Sequence, residues 1–437
     1  MQSHFLMEMD SFLATLRGIG WSAFEIATMS AIRTSIQCRL SVMMFLQFFI
    51  WGAWFVTIGV YLRQGMKFEA GLGTAYSVGP IAAIISPVFL GLVADRYFPT
   101  QVVLGVMHLI GGVLMLFIPW SIQQELAGSH GMFFWFLLAY SLCYMPTLGL
   151  TNTLAMRNIA HTEKDFPVIR VFGTIGWICA GLLVGTVLKA DATALPMQIA
   201  AIASFTLGLF SFFLPHTPAP AKGRSASISQ ALGLESLGML KDSNFLIFAA
   251  ASLLLCIPLQ AYYAYTATFI TDAGFASAAG TMFWGQISEI FFMLIIPLLF
   301  TRLGVKWMLA IGMACWVLRY ALFATAAPDS VKWMIFTGIV LHGICYDFFF
   351  VTGQIFTDQK APPDIRGQAQ GFLVVLTQGL GMLLGAKLNQ PLFEAKVGSL
   401  TGSAALSHWP AFWWIPGSMA AGIFLIFVLL FRTKQST

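Results

Sequence analysis

Two carboxylates stand where carboxylates are expensive. Glu289 falls inside the hydrophobic run 280–300 and Asp347 inside the run 333–356. An ionised carboxylate in hydrocarbon costs several kcal/mol, so once such runs are shown to cross a bilayer these positions read as a site. Gln286 precedes Glu289 by three positions, which puts amide and carboxylate on one helical face, where both can contact one ligand. Tyr346 adjoins Asp347. Carboxylates, amides and tyrosines can satisfy the hydroxyls and amide edges of a neutral polar solute, aromatic faces can stack a planar one, and a carboxyl group can also carry a proton. Arg319, about eight residues from its segment end, lies at nearly the depth of Glu289, ~12 to 14 Å from the surface, so a buried structural ion pair between them is the bland alternative. His108 and His342, also inside apolar segments, could relay protons.

The elements that must position these residues follow from composition. Of 437 residues, 58% are hydrophobic and 9% charged, with mean hydropathy +0.81, which leaves too little polar surface for a water-soluble globule. Twelve apolar stretches, each long enough for an ~30 Å hydrocarbon core, are expected near 40–62, 72–94, 102–122, 132–156, 168–188, 195–214, 245–270, 280–300, 305–327, 333–356, 367–388 and 410–431. With both termini in the cytoplasm, the inner connections hold fifteen Lys and Arg against six outside, the expected bias for a plasma-membrane, multi-pass chain. The net charge of +5 reflects that bias rather than nucleic-acid binding. Six cysteines without CxxC spacing argue against a disulfide framework or zinc site. No GxSxG, HExxH or P-loop string supports an enzyme, and nothing calls for a metal or cofactor. Residues 1–38 are mixed and weakly amphipathic, either an interfacial helix or a mis-assigned start ahead of Met29, and receive no functional role.

The chain also repeats itself. Pro87 followed by Gly91-Leu-Val-Ala-Asp95-Arg96 is echoed by Pro297 followed by Thr301-Arg302-Leu-Gly304-Val-Lys306; Cys143-Tyr144 is echoed by Cys345-Tyr346, and Ile169-Arg170 by Ile365-Arg366. Weak singly, the echoes occur in order and in corresponding spans. They describe an all-α protein with two six-helix repeats, 39–214 and 244–437, joined by a polar cytoplasmic connection over 215–243.

This 6+6 pattern, with Asp95-Arg96 between spans two and three, resembles the major facilitator superfamily. The resemblance implies that Asp95 and Arg96 gate the cytoplasmic side, although Tyr97-Phe98-Pro99-Thr100-Gln101 replaces the second basic cluster usual in the motif. Strings over nearly all of 40–432 resemble the nucleoside:proton symporter family: Phe45-Leu-Gln47-Phe-Phe-Ile-Trp51-Gly-Ala-Trp54, Tyr144-Met-Pro146, Asp165-Phe-Pro-Val-Ile-Arg170-Val-Phe-Gly-Thr174, Gln286-Ile-Ser-Glu289, Trp316-Val-Leu-Arg319 and Tyr346-Asp347. Carried over residue by residue, the resemblance implies a central solute site of Arg170, Thr174, Gln260, Gln286, Glu289, Tyr346 and Asp347. Tyr263 completes the candidate set at a position where the family can place Asn, and His342 stands where it can place Tyr. Both departures bear on which solute is selected.

The implied activity is proton-coupled nucleoside import by alternating access, with Asp347 and Glu289 as coupling carboxylates and a functional monomer in the lipid bilayer. A sugar or amino-sugar carrier of the same architecture and a transport-dead sensor are the alternatives. A drug antiporter fits less well, because span five reads Gly176-Trp177 in place of a Gly-Pro pair. Each polar residue has a structural reading too. Arg170 near the start of its span could snorkel or cap a helix, Gln47, Asn152, Gln260, Gln286 and Gln378 could be interhelical hydrogen-bond glue, and Trp51, Trp54 and Trp177 could simply pack.

Overall fold

A hydrocarbon-embedded backbone has to satisfy its own polar groups, and a chain this apolar does so as helix. The computed structural model describes residues 23–55, 57–68, 71–89, 97–219, 234–275, 278–398 and 400–432, and among them there is no strand. Among the described residues, nine helical segments are long and apolar enough to cross a membrane, and two shorter apolar helices, Ala75–Ile85 and Leu195–Ser211, join them. One of the nine, Gly280–Ala326, is two spans. Gly304 breaks it with φ 67°, a left-handed conformation that glycine adopts without a Cβ penalty. Nine plus one plus two makes the twelve spans that the hydropathy predicts.

In chain order the helices are α1 (Ala23–Trp54), α2 (Gly71–Phe89), α3 (Thr100–Leu126), α4 (Met132–Arg157), α5 (Thr162–Gly181, continued by a π-helical turn Leu182–Val187), α6 (Leu195–Ser211) and α7 (Ser243–Asp272). They continue with α8 (278–303), α9 (305–326), α10 (Lys332–Lys360), α11 (Arg366–Lys396) and α12 (Trp409–Leu430). α1 is continuous from Ala23, so the residues just before the first apolar stretch prolong that span. Asp95 and Arg96 lie outside the described residues, as do 1–22 and most of the 215–243 connection.

A buried apolar cluster rich in Met, Ala and Leu fills the first six helices and extends into the second half at Met293, Met308 and Phe348, and two aromatic-rich clusters lie within the second six. Large side chains such as Val187, Phe213 and Leu429 are exposed on the outside of the bundle, as expected of a surface turned to lipid. The halves approach closely where α4 meets α11: a Cβ on Gly149 would stand 3.2 Å from the Gly371 amide nitrogen. This seam lies towards the ends at which α4 finishes and α11 begins.

Candidate functional site

The polar centre is assembled where α5 of the first half crosses α8 of the second. Thr174 donates its hydroxyl hydrogen to Glu289 Oε1 at 2.6 Å, a buried bond between residues 115 apart in sequence. The other carboxylate oxygen, Oε2, lies 3.8 Å from His342 Nε2 on α10. Ser288, beside Glu289, ties α8 to α10: its hydroxyl donates to the Val340 carbonyl and accepts the Gly343 amide hydrogen at 2.9 Å.

α10 is not uniformly wound. Its α-helical segments Lys332–Val340 and His342–Tyr346 meet at Leu341, and a π-helical turn spans Asp347–Val351. Wide turns of this kind recur at functional sites because they rotate neighbouring side chains out of the regular helical register. Here the irregular stretch carries His342, Tyr346 and Asp347.

Arg319 is fully buried and does not pair directly with Glu289. Among the described residues, its Nε donates to the Gly338 carbonyl at 3.1 Å, its Nη2 lies 3.3 Å from His342 Nδ1, and its guanidinium carbon sits 4.2 Å from the centre of the Tyr262 ring. The direct ion pair considered from sequence is therefore corrected to a bridged arrangement, Arg319–His342–Glu289. Arginine nitrogens only donate. His342 Nδ1 must then accept, and a neutral His342 carries its hydrogen on Nε2, the nitrogen facing Glu289. The imidazole is stacked on Tyr262 at 5.3 Å and meets Tyr263 edge-on at 6.2 Å.

Asp347 and Arg170 form the second part of the centre. Asp347 is completely buried, and neither carboxylate oxygen has a hydrogen-bond partner of ordinary geometry among the described residues. Glu289, Arg170 and the Met293 backbone are the groups that act on it electrostatically. Arg170, 2% exposed, holds its guanidinium carbon 4.0 Å from the centre of the Phe48 ring, with Nε and Nη1 unpartnered. It points into the protein, not out to a membrane surface, which removes the snorkelling reading. Tyr346 packs between His342 at 5.8 Å and Phe350 at 5.0 Å. Two buried carboxyl groups and two buried guanidiniums thus occupy one region without a direct salt bridge between them. Separated buried charges are costly, and they leave donors and acceptors available to a ligand.

The remaining candidates are placed less centrally. Gln260 is half-buried and its Oε1 accepts from Asn389 Nδ2 at 2.8 Å, an α7–α11 bond of the interhelical kind. Gln286 is half-buried one turn before Glu289. Tyr263 is 44% exposed beside His342. His342, in sequence a lone histidine within an apolar segment four residues before Tyr346, stands between Arg319 and Glu289. The described residues contain no group of His, Cys, Asp and Glu arranged to hold a metal ion.

The sequence matches the family described as Nucleoside H+ symporter over residues 34–436. It is 42% identical over 408 residues to YegT of Escherichia coli (strain K12), which carries a provisional nucleoside-transporter name, covering 91% of this chain and 94% of that one. It is 31% identical over 415 residues to the xanthosine permease of the same organism, covering 91% and 96%. The crystal structure of the nucleoside transporter NupG superposes with a TM-score of 0.65 at 31% identity, covering 91% of this chain and all of that one. The fucose:proton symporter of E. coli, at 15% identity and TM-score 0.65, shares the fold. Twelve helices in the major facilitator arrangement, with a buried polar centre between α5, α8 and α10, are therefore those of a membrane transport protein, and the chain belongs to the nucleoside:proton symporter family.

Proposed function

We propose that this protein imports nucleosides together with protons by alternating access, and that Asp347 couples the two. The observation that carries this reading is the Asp347 carboxylate, buried with both oxygens unpartnered and acted on by Glu289 and Arg170. Protonation of a buried acid in that setting removes the charge that would oppose reorientation of the loaded carrier. Glu289, held from one half by Thr174 and faced from the other by His342, is a ligand acceptor whose contacts cross between the halves. Gln286, Tyr263 and Tyr346 supply further hydrogen-bonding and aromatic surface, Arg170 supplies donors, and Gln260 shapes the wall through Asn389.

The terminus-bearing side is cytoplasmic in this reading, in keeping with the distribution of Lys and Arg. The α4–α11 seam then closes the cytoplasmic side, and the exposure of Tyr263 fits access from the opposite side. Asp95 and Arg96 act as the cytoplasmic gate by analogy with the family, and the working unit is a monomer. Uptake of labelled uridine, adenosine, guanosine and a sugar panel into proteoliposomes under an imposed pH gradient tests the proposal. Nucleoside accumulation that collapses with the gradient supports it, and accumulation of sugars alone overturns it.

A further inference from the structure

A cavity runs from the central site towards the cytoplasmic side. It begins at Arg170 and Tyr346 and continues between α4, α10 and α11, lined by the carboxamides of Asn152, Gln354, Gln370 and Gln378 and walled by Trp51 and Phe350. His342 and Gln354 are twelve residues apart on α10, ~18 Å at 1.5 Å per residue. That separation exceeds the length of one nucleoside. A solute held by Glu289 and His342 does not also touch Gln354.

Gln370 is 1% exposed, and the direction of its amide is settled by its neighbours. Its Nε2 donates to the Gln354 carbonyl at 2.9 Å and faces Met156 Sδ at 3.6 Å, both acceptors. The NH2 group is therefore committed, and Oε1 is the atom left over. Gln370 Oε1 and Gln354 Oε1 are both buried without a hydrogen-bond partner among the described residues. Two acceptors left without donors inside a bundle are destabilising unless something supplies N–H or O–H groups at times. Aromatic walls beside them suit a flat, donor-bearing partner.

We propose that this chamber is a second nucleoside position, entered on the way to or from the cytoplasm, in which Gln354 and Gln370 accept hydrogen bonds from N–H groups on the base edge. The inference rests on the nucleoside reading above and adds to it a base-reading step outside the central site. Beside the chamber, the α4–α11 seam at Gly149 and Gly371 brings the two halves into close approach on its cytoplasmic side. Its contribution is therefore felt by solute arriving from the cytoplasmic face.

The test compares the two faces of the full-length protein in right-side-out and inside-out vesicles, by exchange without a pH gradient. The probes are guanosine, whose base carries several N–H donors, and purine riboside, whose base carries none. Gln370→Met is expected to raise the guanosine KM at the cytoplasmic face about five-fold or more, as loss of a buried hydrogen bond does, and to abolish its advantage over purine riboside there. The external KM is expected to stay within about two-fold. Gln354→Met is the parallel variant and carries the test if Gln370→Met does not reach the membrane folded. An equal rise at both faces, no rise, or undiminished preference for guanosine at the cytoplasmic face overturns the inference while leaving nucleoside transport intact. A wild-type protein that exchanges no nucleoside at either face overturns the functional reading itself, and this inference with it.

Discussion

One histidine is buried in each half of the bundle, and their surroundings are opposites. In the first half, His108 Nε2 donates to Gln47 Oε1 at 2.8 Å and Nδ1 accepts from Ser204 at 3.2 Å. Gln47 Nε2 donates to Thr147 Oγ1 at 2.7 Å, Thr147 donates onward to the Tyr144 carbonyl at 2.5 Å, and the Tyr144 hydroxyl donates to the Gln47 carbonyl at 2.6 Å. Each of these polar atoms has a partner, and the network stitches α1, α3, α4 and α6 together. In the second half, His342 leads from Arg319, whose Nη1 is unpartnered, to a loose 3.8 Å approach to Glu289, near an Asp347 whose oxygens make no hydrogen bond of ordinary geometry among the described residues. A satisfied buried network contributes rigidity and asks for nothing more. An unsatisfied one costs about 1–3 kcal/mol per orphaned group and persists where something that comes and goes completes it. The contrast separates scaffold from site without reference to which residue types are present.

The largest effect expected to sharpen that contrast is at Asp347. Asp347→Asn keeps the fold, since no partner is lost, but accumulation driven by a pH gradient should fall to the equilibrium level, more than about ten-fold below wild type. Exchange down a gradient should survive. Accumulation at the wild-type level would move the coupling role to Glu289.

His108→Leu should do the reverse. Breaking a fully paired buried network leaves Gln47 and Ser204 short of partners and should cost roughly 2–4 kcal/mol of stability, read as a lowered thermal transition in detergent. Substrate affinity per folded molecule should change less than about two-fold. If His108→Leu instead abolished coupling at unchanged stability, the scaffold assignment would be wrong.

At the centre, Gln286→Ala should weaken nucleoside binding by roughly 1–3 kcal/mol in a thermal-shift titration, with little loss of stability. A double-mutant cycle of Glu289→Gln with Arg319→Gln then distinguishes a direct pair from the bridged chain. The bridge predicts a stability coupling below about 1 kcal/mol and no restoration of transport by the double change. Full rescue would mean that Glu289 only neutralises Arg319.

The smallest effect lies outside the membrane. Asp242 caps α7 by accepting the Phe245 amide hydrogen at 2.9 Å and pairs with Lys360 at 2.9 Å. Lys360, and secondarily that amide, hold its carboxyl below the usual carboxylate range. A lowered folded-state pKa contributes stability above the unfolded value of about 4 and loses it as pH falls through the folded value. The pair is exposed, so Asp242→Ala should cost at most about 1 kcal/mol near neutrality, with the difference from wild type vanishing in acid. A difference that grew below pH 4 would contradict the sign.

Much of this molecule was legible before any coordinates. Hydropathy and segment length dictated twelve spans, because the bilayer sets both the needed length and the tolerable charge. Even the junction at Gly304 follows from a polar Arg-Leu-Gly-Val-Lys stretch between two apolar runs. Asp347 stood out as a buried acid with no evident basic partner in sequence, and the fold brings Arg170 near enough to act on it without a hydrogen bond between the two. The gate residues Asp95 and Arg96 remain a reading of the sequence, since they fall outside the described residues. What the sequence alone could not decide was who faces whom. Glu289 and Arg319 have matching depths, yet depth is one coordinate of three, and helix rotation together with the irregular winding of α10 puts His342 between them. Thr174 reaches Glu289 only because α5 and α8 cross at that level, a contact between residues 115 apart that depends on how two six-helix bundles dock. Hydrogen-bond partners and the tautomer of a buried histidine are properties of packing angles and side-chain directions. A one-dimensional pattern specifies burial but not those.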